Sequence, residues 1–396
     1  MTAEVAIVGA GIVGASTAYE LAVRGVAVRL VDAGEVSGGT TGLGEGNVLA
    51  SDKDAGPELD LTVLGLRVYD DVEALVGDEA RIRRKGALIV HPDEGTWAAE
   101  PQRLARLRAA GVDGRLVAAN AVRELEPELT GPLHGAALFP RDLQCAPRAI
   151  TRALAREAQA AGAEVLTGRR VEAIAVRGGR VAGLRTDGGR LAADAVVLAA
   201  GAWSAALAAT AGLRLPVEPR WGQLLQLAPP PDGGPRFIRH KVVDASYLAS
   251  VASADAGLQV TTVLETTWEG AVLVGSSRRR AGFATGVDEA VSDAMLARAT
   301  RLMPRLAGLR RERSWAGLRP WLPDHLPAIG PSSAADGLWV ATGHEGAGVA
   351  LGPVTGRLIA QALCGERPAL DLTPFDPDRF GPLPDQTPGG GERAAG

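Results

Sequence analysis

Cysteine is nearly absent: the chain of 396 residues has only two, Cys145 and Cys364. Two thiols so far apart suit neither a disulfide framework nor a zinc site, and a reducing cytoplasm is the expected compartment. An excess of one charge is also missing. Lys and Arg number 42 against 46 Asp and Glu, a formal net charge of −4, and no basic stripe is interleaved with aromatics, so nothing points to nucleic acid. No run reaches the roughly 18 apolar residues of a membrane span. The N-terminus runs into a strand pattern without the charged region and cleavage site of a signal peptide. The chain is expected to be cytosolic, neither spanning nor exported. Its five histidines show no metal-ligand spacing, so no metal is expected.

The length suffices for two domains, since single cores stop growing at roughly 250 to 300 residues. Near the N-terminus, Val5 to Val8 is a short apolar run that meets Gly9; helical spacing follows over 12–23, and a second run over 26–31 ends at Asp32. Strand, glycine turn, helix, strand is a βαβ unit. From Gly34 to Gly46 inclusive the chain carries six glycines and the adjacent Thr40 and Thr41, which reads as a long loop, a kind that is usually functional. Residues 57–76 and 148–161 read as helices, with an Arg-rich amphipathic helix near 103–110. Strand-like runs at 164–167, 171–176, 181–186 and 195–199 are separated by tight turns, and the Gly178-Gly179 and Gly188-Gly189 pairs are hairpin signals. Residues 216–320 read as an antiparallel sheet with one helix near 288–303. From Gly337 the strand, turn and helix pattern returns and ends at Cys364, which reads as core. The Pro/Gly-rich tail over 381–396 reads as disordered.

Gly9, Gly11 and Gly14 form G-A-G-I-V-G between the first strand and its helix. The turn needs backbone freedom at the first glycine, close approach of a pyrophosphate at the second and tight helix-strand contact at the third. The helix N-terminus then favours phosphate. Asp32, eighteen residues after Gly14, can accept hydrogen bonds from the adenosine ribose. The motif serves FAD and NAD alike.

Three later segments carry a family resemblance: D-A-V-V-L-A-A-G-A-W-S from Asp194, W-A-G-L-R-P-W-L-P-D-H-L-P-A-I-G from Trp315, and G-H-E-G-A-G-V-A-L-G-P-V-T-G from Gly343. From about residue 4 to about residue 380 the chain resembles the D-amino-acid oxidase and glycine oxidase flavoproteins. G-E-G-N-V-L from Gly44 and G-S-S-R from Gly275 draw it toward the flavin subunits of hydrogen cyanide synthase, opine oxidase and D-hydroxyproline dehydrogenase. Those work with partner subunits that carry an iron-sulfur centre and a second dinucleotide fold, so such partners are implied here too.

The resemblance implies an α/β fold: a Rossmann-type FAD-binding domain from residues 1–86, 140–215 and 321–380, with an inserted antiparallel-sheet substrate domain from 87–139 and 216–320. It implies FAD as cofactor, with Ile12 and Val13 at the pyrophosphate, Asp32 and Ala33 at the adenosine, and Thr40 and Thr41 at phosphate or ribityl oxygens. Glu45, Gly46 and Asn47 would lie along the isoalloxazine edge, Val171 would meet adenine through its backbone, and Gly201 and Trp203 would be further contacts. His344, Glu345, Gly346, Ala347, Gly348, Val349 and Ala350 would present backbone N–H groups to the flavin at a helix start. Taken singly, Thr40 and Thr41 also fit a solvated loop, and Val171 an ordinary strand position.

Arg319, in G-L-R-P, matches the arginine that grips the substrate carboxylate, a role that suits a planar, permanently charged fork. Tyr247 is the candidate substrate-side hydroxyl, with a half-buried sheet tyrosine as the alternative. His344 is expected to orient the flavin and not to act as an obligate base. Glycine oxidase has an arginine where Gly346 stands, so a glycine-sized substrate held by a second cation is not expected. No cysteine occupies the G-L-R-P segment, so the FAD is expected to be non-covalent. The activity implied is removal of a hydride from the CH–NH bond of a D-amino acid, imino acid, glycine or N-substituted amino acid. Electron delivery to a partner subunit, or a non-catalytic assembly role, are the other readings.

Overall fold

The computed structural model describes residues 4–383, and its two large sheets differ in how they bury their strands. The first has six strands in the order Ala328–Pro331, Leu338–Thr342, Ala195–Leu198, Glu4–Val8, Ala27–Val31 and Glu164–Leu166. All neighbours run parallel except the first pair. Parallel strands are covered on both faces and therefore read as unbroken apolar runs. In Glu4–Val8, Val5 and Ile7 join a core with the helices Ile12–Ala22, Pro147–Ala160 and Gly348–Leu363. Ala6 and Val8 join a second core beneath the three-stranded sheet of Val171–Arg177, Arg180–Thr186 and Gly189–Leu191. The turn in that sheet uses Gly178 and Gly179, both at positive φ (56° and 76°), the geometry of a tight hairpin.

The second sheet has eight strands in the order Arg311–Trp321, Glu218–Leu227, Val272–Arg280, Gln259–Thr266, Lys241–Asp244, Ala87–His91, Gly135–Phe139 and Arg115–Ala118. Leu88 and Val90 face a core shared with the helix Glu289–Leu302, while Ala87 and Ile89 face one shared with Glu94–Ala109. The fold is thus α/β with a separate, largely antiparallel sheet. One expectation needs correcting: Lys241–Asp244 pairs in parallel with Ala87–His91. The long connection between them permits what a hairpin forbids.

Two further corrections concern single residues. Tyr247 lies on the short helix Ser246–Val251 and not on a strand, because the Asp244 carboxylate accepts the Ser246 N–H at 2.8 Å and turns the chain just past its strand. Cys364 is exposed, not core. It follows the last helical residue, Leu363, and lies beyond Ala360, the last buried residue of the helix. Of the tail expected to be disordered, residues 384–396 lie outside the described residues, and 381–383 are exposed and irregular.

Candidate functional site

A cavity of about 1110 Å³ opens beside the N-terminal glycine turn, larger than the roughly 300 to 1,000 Å³ of most small-molecule pockets. Gly9 (φ 108°) packs against the Ala199 carbonyl, and a side chain at Gly14 would collide with the Gly9 carbonyl. The helix Ile12–Ala22 therefore starts hard against its strand, and its N-cap, Gly11, supplies no side-chain cap. Such a bare N-terminus suits a phosphate. Asp32 is fixed at the end of its strand: its carboxylate accepts the Ala10 and Gly34 N–H groups, each at 2.7 Å.

The same cavity is lined by Gly9, Gly11, Ile12, Val13, Asp32, Ala33, Thr40, Thr41, Val171, Gly201 and Trp203. Gly14 lies behind the turn and is buried. Trp203 stands exposed at 49% and packs on Phe283, with ring centroids 5.8 Å apart. Thr41 Oγ1 accepts the Ile12 N–H at 3.2 Å, and the Thr40 hydroxyl donates to the Leu318 carbonyl at 2.6 Å. These bonds clip a single 3₁₀ turn, Thr40–Leu43, between the helix start and the second sheet. The size, the glycine cradle and a helix start whose N-cap glycine offers no side chain fit a dinucleotide.

Glu45, Gly46 and Asn47 do not line this cavity. Glu45 is ion-paired with Lys241 and accepts from Asn47 Nδ2 at 3.2 Å. Lys241 also reaches Glu265 (3.5 Å), which pairs with Lys85 at 3.3 Å. Burial alone would lower the Lys241 ammonium, but Glu265 and Glu45 outweigh it and raise it, whereas burial pushes Lys85 down to about 8. This buried network escapes sequence reading because its charges come from four separate segments. Gly46 (φ 88°) leaves room for the Cys145 carbonyl.

At the far end, the strand Leu338–Thr342 turns through Gly343 (φ 83°) into a 3₁₀ turn, Glu345–Ala347, and the helix Gly348–Leu363. His344, Glu345, Gly346, Gly348 and Val349 line the large cavity, while Ala350 packs in the core. The Tyr69 hydroxyl holds the helix start by donating to the Val349 carbonyl at 2.6 Å. His344 Nε2 meets Thr355 Oγ1 at 3.0 Å, and burial pushes the imidazole down to about 3, so the ring is neutral. Glu345 holds a positive φ of 45°, a strained conformation for a residue with a side chain. Burial alone would raise its carboxyl, but His325, Arg278 and Arg220 together hold it at about 2.

A second cavity of about 260 Å³ shares Arg319, His344, Glu345 and Gly346 with the first and is also lined by Ala347, Tyr247, Lys53 and Arg278. Arg319 lies opposite Arg220 in the register of the second sheet. Its guanidinium donates to the Ser277 carbonyl at 3.0 Å, and among the described residues it forms no ion pair. Burial first, and the neighbouring Arg278 next, push its pKa below the ordinary value. Arg278 lies 4.9 Å from the Tyr247 ring centroid. Sequence reasoning quoted Arg278 only within G-S-S-R and missed Arg220 and Lys53. Three arginines on three adjacent strands have no common spacing to betray them.

The glycine oxidase of Pseudomonas aeruginosa is 31% identical over 95% of this chain and 99% of its own length. The hydrogen cyanide synthase subunit HcnC of the same species is 28% identical over 97% of each. The crystal structure of glycine oxidase from Geobacillus kaustophilus superposes with a TM-score of 0.85 at 28% identity, covering 96% of this chain and 99% of that one. The family model described as DAO, FAD dependent oxidoreductase, matches residues 4–362, and the chain belongs to that family of FAD-dependent enzymes.

Proposed function

We propose that the enzyme oxidises the CH–NH bond of a small amino or imino acid, with Arg319 binding the substrate carboxylate. The observation that carries this is the unpaired Arg319 guanidinium at the junction of the two cavities. An enclosed cation without a carboxylate is costly unless a ligand supplies one. The names of the relatives, glycine oxidase above all, agree with an amino-acid substrate. In this reading residues 1–86, 140–215 and 321–380 hold the cofactor, and 87–139 and 216–320 cover the amine.

The carbon gives up a hydride and the nitrogen a proton, leaving an imine that water hydrolyses. FAD, when bound, supplies the two-electron hydride acceptor. The Arg319 fork fixes the carboxylate by paired hydrogen bonds, which orients the adjacent C–H; positioning of this kind contributes much of the acceleration. The first turn of the helix Gly348–Leu363, which lacks a side-chain cap, favours negative charge developing nearby. Neutral His344, tied to Thr355, holds its place and takes no proton. Tyr247 offers its hydroxyl to the substrate side.

The test is anaerobic mixing of the yellow holoenzyme with a panel of D-amino acids, imino acids and N-substituted glycines. Loss of flavin absorbance with some of them, abolished by Arg319→Ala while FAD is retained, is expected; a flavin that stays oxidised throughout refutes the reading. Similarity to a synthase subunit, together with the exposed Trp203–Phe283 pair at the cavity wall, favours a second reading of the oxidative half. Electrons would leave to a partner subunit with an iron-sulfur centre or a second dinucleotide fold. Rapid dye reduction with little peroxide from the isolated chain supports it, and fast peroxide formation opposes it.

A further inference from the structure

The smaller cavity is lined by two guanidinium groups, on Arg278 and Arg319, and neither has a carboxylate within hydrogen-bond distance among the described residues. Arg278 and Arg319 reach it from the strands on either side of the one that carries Arg220, which is not on the lining, and the acid that Arg220 and Arg278 share is Glu345. Arg220 takes that acid at 2.6 Å, while Arg278 stays 4.0 Å away. The other charges on its lining are four acids, Asp52, Asp54, Glu58 and Asp324, and one cation, Lys53. Lys53 pairs with Asp52 at 3.2 Å and Glu58 at 3.3 Å, Asp324 pairs with Arg379 at 2.6 Å, and Asp54 is exposed at the rim. Two guanidinium charges, on Arg278 and Arg319, remain without a close carboxylate.

Arg278 is only 3% exposed. Its Nε has no hydrogen-bond partner, and its remaining contacts are Ser276 Oγ at 3.4 Å and the face of Tyr247. A surface arginine with such contacts would be unremarked; a buried one is expensive to leave unmatched. The α-carboxylate bound by Arg319 neutralises one charge and leaves the other.

We propose that Arg278 is a second carboxylate-binding residue, and that the preferred substrate is a small amine carrying two carboxylates. This rests on the reading of Arg319 as the first carboxylate site. The volume of about 260 Å³ lies below the usual pocket range and favours a compact dicarboxylic amine, either an acidic D-amino acid or an N-carboxyalkyl amino acid.

Two measurements on the FAD-loaded enzyme test it. Malonate and succinate, compared with acetate, are titrated as non-reacting probes by their perturbation of flavin absorbance. D-Aspartate, D-glutamate and iminodiacetate, compared with glycine, D-alanine and D-proline, are assayed anaerobically for kcat/KM. The wild type is expected to bind the dicarboxylates and oxidise the dicarboxylic amines in preference. Arg278→Gln should lower the ratio of dicarboxylic to monocarboxylic kcat/KM by roughly tenfold to a hundredfold, the value of a buried charge-assisted bond, with part of the ratio recovered in Arg278→Lys. A wild type with no preference for a second carboxylate in either measurement overturns the proposal, as does an Arg278→Gln effect equal for both classes. Tight malonate binding without oxidation of any amine would keep the second site and remove the proposed activity instead.

Discussion

The two ends of the proposed site are built from different materials. At the nucleotide end the walls are mostly backbone: a glycine turn, a helix start whose N-cap is a glycine, and a carboxylate spent on two N–H groups. At the amine end they are long side chains, Arg319, Arg278, Tyr247 and Lys53, reaching in from the second sheet and from the segments packed on it. Backbone walls tolerate no added atom but need few particular side chains. Side-chain walls can change their chemistry without moving a strand, which is how one fold serves many substrates.

The sharpest contrast should come from Gly14→Val. The added atoms meet the Gly9 carbonyl, and overpacking of a tight helix-strand contact costs about 1–3 kcal/mol or more. The variant should be isolated without flavin or not at all, read from flavin absorbance and yield; a yellow, stable protein would show that the backbone end is looser than described. Arg319→Ala should do the converse, keeping FAD while kcat/KM falls about 10²- to 10³-fold, the usual loss for a buried ionic partner. Flavin content and amine kinetics on one preparation decide it. Asp32→Ala removes the acceptor of two N–H bonds and should weaken FAD binding by about tenfold to a hundredfold, measured by flavin release, with a much smaller change in amine turnover at saturating FAD.

The smallest effect concerns His344. Its folded pKa, about 3, lies below the unfolded value near 6.5, so the unfolded chain binds the extra proton as pH falls. The stability that neutral His344 contributes is present above about pH 6.5 and is lost progressively down to about pH 3, on the order of 1 kcal/mol of it by pH 5.5. Denaturant melts of wild type and His344→Gln should converge over that interval. The pH profile of kcat/KM between about 5 and 9 should carry no inflection from this ring; one that vanished in His344→Gln would contradict its neutral, positioning role.

Much of the fold was legible because its signals are local. The helix Pro57–Val76 begins at a proline and stops at Gly77, where each residue type acts through its own backbone. The parallel strands announced themselves by unbroken apolar runs. The parallel pairing of Lys241–Asp244 with Ala87–His91 was not legible, since the partners are far apart in the chain and the strand pattern carries no direction. Tyr247 was misplaced for a related reason: a short helix of six residues has too few turns to show a period.

What the residues alone determined, then, was the cofactor end, where motif and geometry occupy one stretch of some thirty residues and the chemistry is carried by backbone that any correct strand-turn-helix will present. Only the tertiary structure decided the amine end. Whether Arg278 lies in water or buried beside Arg319, and whether Glu45 faces a ligand or Lys241, depends on strands brought together from distant parts of the chain. Burial, which sets the cost of each charge, is a property of that assembly and not of spacing along the sequence.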